Sequence, residues 1–250
     1  MCVPFGKILR GKVVPNTVTK TLHTDKVYEP DLNSFTIEPF PYYSPLKSQI
    51  ETIKSFDRPV ILVDDLVHTA NRLQVLVPQL REDGIPIKKV VVGVLSGYGR
   101  DLMQCLMVPV ESIYSMPNLR QWFVESTLYP FIGGDTVRRE EMKVAGLQPS
   151  INMILPYATP RLSGCSREAL VEFSACCIEN SRDLFQVLEA EYRKMYAKNL
   201  TLSRLSEAVI LPLCPDKGSC MEYDENLAAS VYLENDLETL WRMKEFMIKG

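Results

Sequence analysis

The chain has 250 residues, a formal net charge of −3 and 46% hydrophobic residues. That is enough to bury a substantial core in one large domain or two smaller ones. The balance excludes a strongly basic nucleic-acid-binding surface, no segment approaches the ~18 apolar residues of a membrane span, and Met1–Lys12 lacks the apolar centre of a signal peptide.

In chain order, residues 8–14 and 33–40 read as strands separated by the polar stretch Pro15–Leu32. Lys47–Phe56 reads as a short amphipathic helix. Val60-Ile61-Leu62-Val63 is an apolar run of buried-strand type that delivers Asp64 and Asp65 to its carboxyl end. A polar turn follows, and Leu73, Leu76, Val77 and Leu80 give the period of a helix closed by Asp83-Gly84. Lys89–Leu95 is a second buried strand, Asp101–Leu106 a helix and Val110–Ser115 a short strand. This alternation predicts a parallel sheet with helices on its faces. Trp122–Asp135 reads as a structured loop rich in aromatics and glycine, with packing its expected role. Pro149, Pro156 and Pro160 mark a linker-like stretch. From Ser166 the apolar period of 3.6 runs to about Lys198, and Leu200–Ile210 and Glu225–Ile248 read as two more helices. The expected organisation is an α/β domain over residues 1–160 and an α-helical region over 161–250.

The chemistry concentrates at the Asp64-Asp65 turn. Ligands of open α/β sheets bind outside the carboxyl ends of the strands. A turn opening a helix there offers unpaired N–H groups and the positive dipole end to a phosphate, while the two carboxylates suit hydroxyls or a metal. A ribose 5-phosphate carries both halves. A pair of acids also follows a strand in response-regulator receivers, but those need a further Asp at the end of the next strand, and Val90–Gly97 has none. A purely structural acidic pair is the plain alternative. The seven cysteines contain no C-x-x-C pair. Cys176 and Cys177 read as packing residues, Cys214 and Cys220 flank a turn, and free thiols in a reducing cytoplasm are expected.

The strand, acidic pair, turn and helix of Val60–Arg72 resemble the phosphoribosyl diphosphate (PRPP) loop of type I phosphoribosyltransferases, the orotate type most closely. The resemblance extends over about residues 15–119. It implies a phosphoribosyltransferase-like fold: an α/β parallel sheet with helices on both faces, followed here by the α-helical C-terminal region. Asp64 and Asp65 would hold the ribose hydroxyls, directly or through Mg²⁺, and Thr69, Ala70, Asn71 and Arg72 would cradle the 5-phosphate. Ala70 stands where the family usually has Gly, which strains the turn if a positive φ is needed. Arg72 stands where many members have Thr. Family members place a mobile Lys- and His-containing loop before the motif. Lys20, His23 and Lys26 match it in composition and would close over the diphosphate, stabilising its departing charge and excluding water. His68 would act as a general base or as a phosphate donor. The implied reaction transfers phosphoribosyl to a base or similar acceptor with pyrophosphate release. The alternative is a non-catalytic PRPP- or nucleotide-binding protein, regulatory or complex-forming. The 59 residues before Val60 leave no room for the family's full first βα unit. The expected partners are therefore the small-molecule substrate together with a homo-oligomer or a second chain that supplies the missing half, with no nucleic acid and no membrane; the expected location is the cytoplasm.

Overall fold

A computed structural model describes residues 1–6, 14–31, 33–40, 43–120, 122, 124–138, 149–160, 164–213 and 223–249. Its strands and helices fall into two compact units, one of residues 1–26 and 36–122 and one of residues 27–35 and 123–250.

The first unit begins with β1 (Cys2–Pro4), followed by β2 (Thr24–Tyr28), which runs on into the second unit, β3 (Phe35–Pro39) and α1 (Leu46–Lys54). The acidic motif lies in β4 (Val60–Val67), and α2 (Asn71–Glu82), β5 (Ile87–Ser96), α3 (Gly97–Cys105) and β6 (Val110–Met116) complete the unit. The apolar runs form a parallel four-stranded sheet in the order β1-β4-β5-β6. Residues 18–22 extend it beyond β1. Cys2 N donates to Val18 O, Lys20 N to Cys2 O and Leu22 N to Pro4 O, and parallel bridges join Cys2 to Thr19 and Phe5 to Leu22. Counting this segment as the second strand in sequence, the order becomes 2-1-3-4-5, a known doubly wound arrangement with its topological switch between the first and third strands. All carboxyl ends point to one edge, and the switch lies between β1 and β4.

The core of this unit is one layer. Val60 and Leu62 of β4 and Val90 and Val92 of β5 are buried on one face, in a single cluster with Ile50 and Ile53 of α1, Leu73, Leu76, Val77 and Leu80 of α2 and Met103 of α3. The opposite face carries Ile61, Val63 and Val91, which are half-buried and belong to no cluster. Helices on both faces were expected; among the described residues of this unit they pack on one. Right-handed crossovers explain this, because steps in one direction along a sheet place their helices on the same side.

The described residues of the second unit form a sheet of short strands and three α-helices. Val27 and Tyr28 at the end of β2 pair in parallel with β7 (Asp135–Val137), which pairs antiparallel with β8 (Pro149–Ile151). After α4 (Arg167–Tyr196) and α5 (Leu202–Leu205) comes β9 (Leu211–Pro212), parallel to β8, and then α6 (Ala229–Lys249). Ser166 Oγ accepts from Ala169 N and caps α4. Val171, Ala175, Ile178 and Phe185 form its buried stripe, and α4 packs against α6.

Several expectations change here. The strand expected over 8–14 lies largely outside the described residues, as do Cys214 and Cys220; the observed first strand is Cys2–Pro4. The helix expected over Leu200–Ile210 stops at Leu205, because Ser206 takes φ +44° and a 3₁₀ turn leads into β9. The last helix begins at Ala229 rather than Glu225, since Asp224 Oδ1 binds the N and Nδ2 of Asn226 and makes a turn instead. The stretch expected as a linker is packed: Ser150, Ile151, Asn152, Ile154 and Leu155 are all buried. The aromatic loop turns through a 3₁₀ segment at Glu125–Leu128 and buries Phe131 against Phe185, Tyr223 and Tyr232. Cys177 faces the core, while Cys176 is exposed.

Candidate functional site

Strand β4 continues four residues beyond Val63, so the acidic pair lies inside the strand rather than at its end. Period-2 alternation then separates the two carboxylates. Asp64 follows Val60 and Leu62 onto the packed face and is only 7% exposed, whereas Asp65 is exposed. Each carboxylate binds the next backbone N–H, Asp64 Oδ1 at 3.0 Å from Asp65 N and Asp65 Oδ1 at 2.7 Å from Leu66 N.

The buried carboxylate has one cationic partner. Arg72, in the first turn of α2, sets Nη1 at 3.3 Å from both oxygens of Asp64, and its guanidinium lies 5.3 Å from the centre of the Phe5 ring. Phe5 follows β1 and is fully buried. The switch point between β1 and β4 is therefore filled by a Phe5–Arg72–Asp64 stack. Burial pushes the Asp64 carboxyl up from 3.8 to about 7, and the neighbouring Asp65 charge adds to the rise, against the opposing pull of Arg72. Desolvation wins here because both oxygens leave water while Arg72 stays partly solvated.

The chain leaves β4 through His68 and Thr69 and enters α2 through Ala70 at φ +49°, ψ +23°. This is the left-handed conformation that the resemblance assigns to glycine, so the anticipated strain is present. No side chain caps the N-terminus of α2. Its first intrahelical bond runs from Gln74 N to Ala70 O, and Gln74 Nε2 holds Thr69 O at 2.8 Å. The Thr69 side chain is exposed beside this turn, and Asn71 opens the helix.

His68 is tied to the next strand. Its Nδ1 lies 2.8 Å from Ser96 Oγ, which also accepts from Gly99 N at 2.9 Å and caps α3. The His68 ring meets Tyr98 edge-on at 6.0 Å. Two close backbone approaches set this corner. A Cβ on Gly99 would fall 2.2 Å from Val67 O, and one on Gly97 would fall 2.5 Å from Pro117 O.

No family model matches this chain. No curated protein matches it either.

Of the expected residues, Asp64, Asp65, His68, Thr69, Ala70, Asn71 and Arg72 thus gather at one carboxyl edge. Lys20 and His23 occupy an extended edge where a mobile loop was expected, because the 18–22 backbone is paired to β1 and Leu22 is fully buried. His23 ends this edge, level with the end of β1. Its N–H donates to Gln49 Oε1 and its carbonyl accepts from Gln49 Nε2, and its ring stacks on Tyr43 at 3.8 Å. Burial, then the Lys20 charge, lowers its pKa. Lys26 lies within β2, its N–H on Asp25 Oδ1. Sequence reasoning missed Phe5, Gln49 and Ser96. Only Ser96 carried a signal: a serine between an apolar strand and Gly97-Tyr98-Gly99 is a helix N-cap in waiting. Among the described residues no group of three His, Cys, Asp or Glu side chains could hold a metal, and no helix is long and apolar enough to cross a membrane.

Proposed function

We propose that the chain is a phosphoribosyltransferase-like protein that binds PRPP or a related ribose 5-phosphate at the carboxyl edge of its parallel sheet. The reading rests on one juxtaposition: an acidic pair on β4, five residues before an uncapped helix N-terminus, at a topological switch point. The first-turn N–H groups of α2 would receive the 5-phosphate, helped by the exposed Thr69 hydroxyl. Asp65, exposed and on the free side of β4, would face the ribose hydroxyls. Mg²⁺ typically takes one or two carboxylates plus substrate oxygens, and Asp65 fits that part, while Asp64 stays on the opposite face of β4 with Arg72. Bound there, the ion would neutralise the charge that builds on departing pyrophosphate. In the transferase form of this reading, Lys20, His23 and Lys26 would stabilise the same charge, and His68 would take a proton from the acceptor.

A second reading, ligand binding without transfer, is favoured by the Arg72–Asp64 bond and by the pairing of segment 18–22 to β1. The first holds one carboxylate shut; the second removes the freedom a lid needs. A regulatory or complex-forming protein, or one completed by a second chain, has this character. The free thiols of Cys2, Cys105, Cys165, Cys176 and Cys177 suit a reducing cytoplasm.

Calorimetric titration with PRPP and Mg²⁺ tests the site. Binding that Asp64→Asn/Asp65→Asn abolishes supports it, and absence of binding in the unsubstituted protein overturns it. Release of pyrophosphate with any of a panel of bases then separates transfer from binding alone.

A further inference from the structure

The last strand of the first unit carries a surface that ligand binding does not use. Among the described residues β6 is the end strand of its sheet, paired in parallel to β5 from Val110 to Met116. Its phase follows from Val90 N donating to Pro109 O at 2.8 Å. Odd-numbered residues face β5, so the backbone N–H and C=O groups of Val110, Ser112, Tyr114 and Met116 point outward. Both side-chain faces are also open: Ile113 is 75% exposed, Tyr114 66% and Met116 47%. Natural edges are usually blunted by lysine, proline or a bulge. Within 110–116 there is no lysine, no proline and no shift of register. Pro109 and Pro117 bracket the strand instead and limit pairing to these residues.

The sequence Val-Glu-Ser-Ile-Tyr-Ser-Met is complementary to itself when run antiparallel about its central residue. Val110 then faces Met116, Ser112 faces Tyr114, and every outward backbone group meets another outward group. Ile113 meets its own copy as a non-hydrogen-bonded pair, the closer of the two antiparallel pair types. Glu111 comes opposite Ser115, whose Oγ holds Arg100 Nη2 at 2.6 Å. The guanidinium of one copy is thereby brought to the carboxylate of the other, twice, by symmetry. Glu111 already binds Lys89 at 2.7 Å, which holds it on that face. No like charges oppose.

We propose that β6 pairs antiparallel with β6 of a second copy of this chain across a two-fold axis at Ile113, joining two four-stranded sheets into one. Such an isologous contact closes on itself and leaves the carboxyl edges of both sheets open.

Sedimentation velocity on the full chain at tens of micromolar tests it, with circular dichroism to confirm that each variant is folded. A dimer is expected. Ile113→Lys sets two ammonium groups face to face on the axis while removing little packing from a side chain that is 75% exposed in the monomer; it should raise the dissociation constant roughly tenfold or more. Ser112→Pro removes an outward N–H and should do the same. In a background with the exposed Cys105, Cys165 and Cys176 replaced by serine, Ile113→Cys under mild oxidation should give a disulfide-linked dimer that the background alone does not. A monomer throughout, a species larger than a dimer, a dimer indifferent to Ile113→Lys, or no cross-link from Ile113→Cys would each overturn the proposal.

Discussion

Asp64 is the residue on which the site's electrostatics turn. Its carboxyl titrates near 7 in the folded chain against 3.8 ordinarily, so the native state holds a proton that the unfolded chain releases. The sign follows from linkage: a raised pKa contributes stability that is fully present below about 4 and is lost as pH rises through 7. Urea unfolding at pH 5 and pH 8 should therefore show lower stability at pH 8, and Asp64→Asn should flatten that slope. Ala70 offers a second test at the same scale. A left-handed alanine costs roughly 1–2 kcal/mol, from which the greater freedom of unfolded glycine takes back about 0.4–1. The buried Ala70 methyl adds about 0.8 kcal/mol that glycine forfeits, so Ala70→Gly should leave the urea midpoint within the equivalent of about 0.5 kcal/mol of the unsubstituted chain. The sequence marked Ala70 as strained if its turn takes a positive φ, because the loop it resembles usually has Gly there, and the φ of Ala70 is +49°. The burial of Asp64 was not legible, since an apolar run does not reveal that its strand continues through the acids and turns the first of them inward.

At the scale of elements, two serine caps of the same kind differ in what they hold. Ser166 caps α4 on the surface, where its Oγ accepts from Ala169 N. Ser96 caps α3 in the interior and also anchors His68. Ser166→Ala should cost about 1 kcal/mol, the usual price of a cap. Ser96→Ala should cost more, about 2–3 kcal/mol, because a buried N–H and a ring nitrogen lose their partner together. Thermal melts measure both, and only Ser96→Ala should move the ring resonances of His68. Of the long elements here, β4 and β5 were visible as apolar runs, and α2 and α4 as a sustained helical period. What escaped were pairings whose signal is not periodic. Segment 18–22 reads as polar chain and becomes a strand only because β1 lies beside it. β7, β8 and β9 are too short for alternation to show, and exist through their neighbours.

At the scale of the molecule, the two clusters of buried side chains draw on different stretches of sequence, and the boundary does not follow the chain. Residues 27–35 belong with 123–250. Val27 and Tyr28 pair with β7, and Arg138 reaches back to Glu29 at 3.0 Å and to the Tyr28 carbonyl. A fragment of residues 123–250 would keep the cluster around Phe131, Ile178 and Leu233 yet leave β7 with an unpaired edge. Amide exchange at Arg138, whose N–H donates to Tyr28 O at 2.7 Å, should be far faster in that fragment than in the whole chain, while exchange in the middle of α4 changes less. A composition shift at a proline-rich stretch cannot disclose such a division, because the returning segment is a few residues of ordinary turn and strand.

The glycines beside the acidic strand have a consequence for ancestry. A methyl group on Gly93 would meet Asp65 O at 2.8 Å, and Gly97 and Gly99 are closer still to backbone they cannot displace. Catalytic and ligand-holding side chains drift when a lineage changes its chemistry, but three backbones pressed this tightly give selection nothing to vary. Descendants of a common ancestor that have exchanged Asp64, His68 or Arg72 for other groups would still keep a strand-to-helix junction reading Gly-x-x-Ser-Gly-x-Gly. Kinship would then be read from the spacing of residues that have no side chain at all.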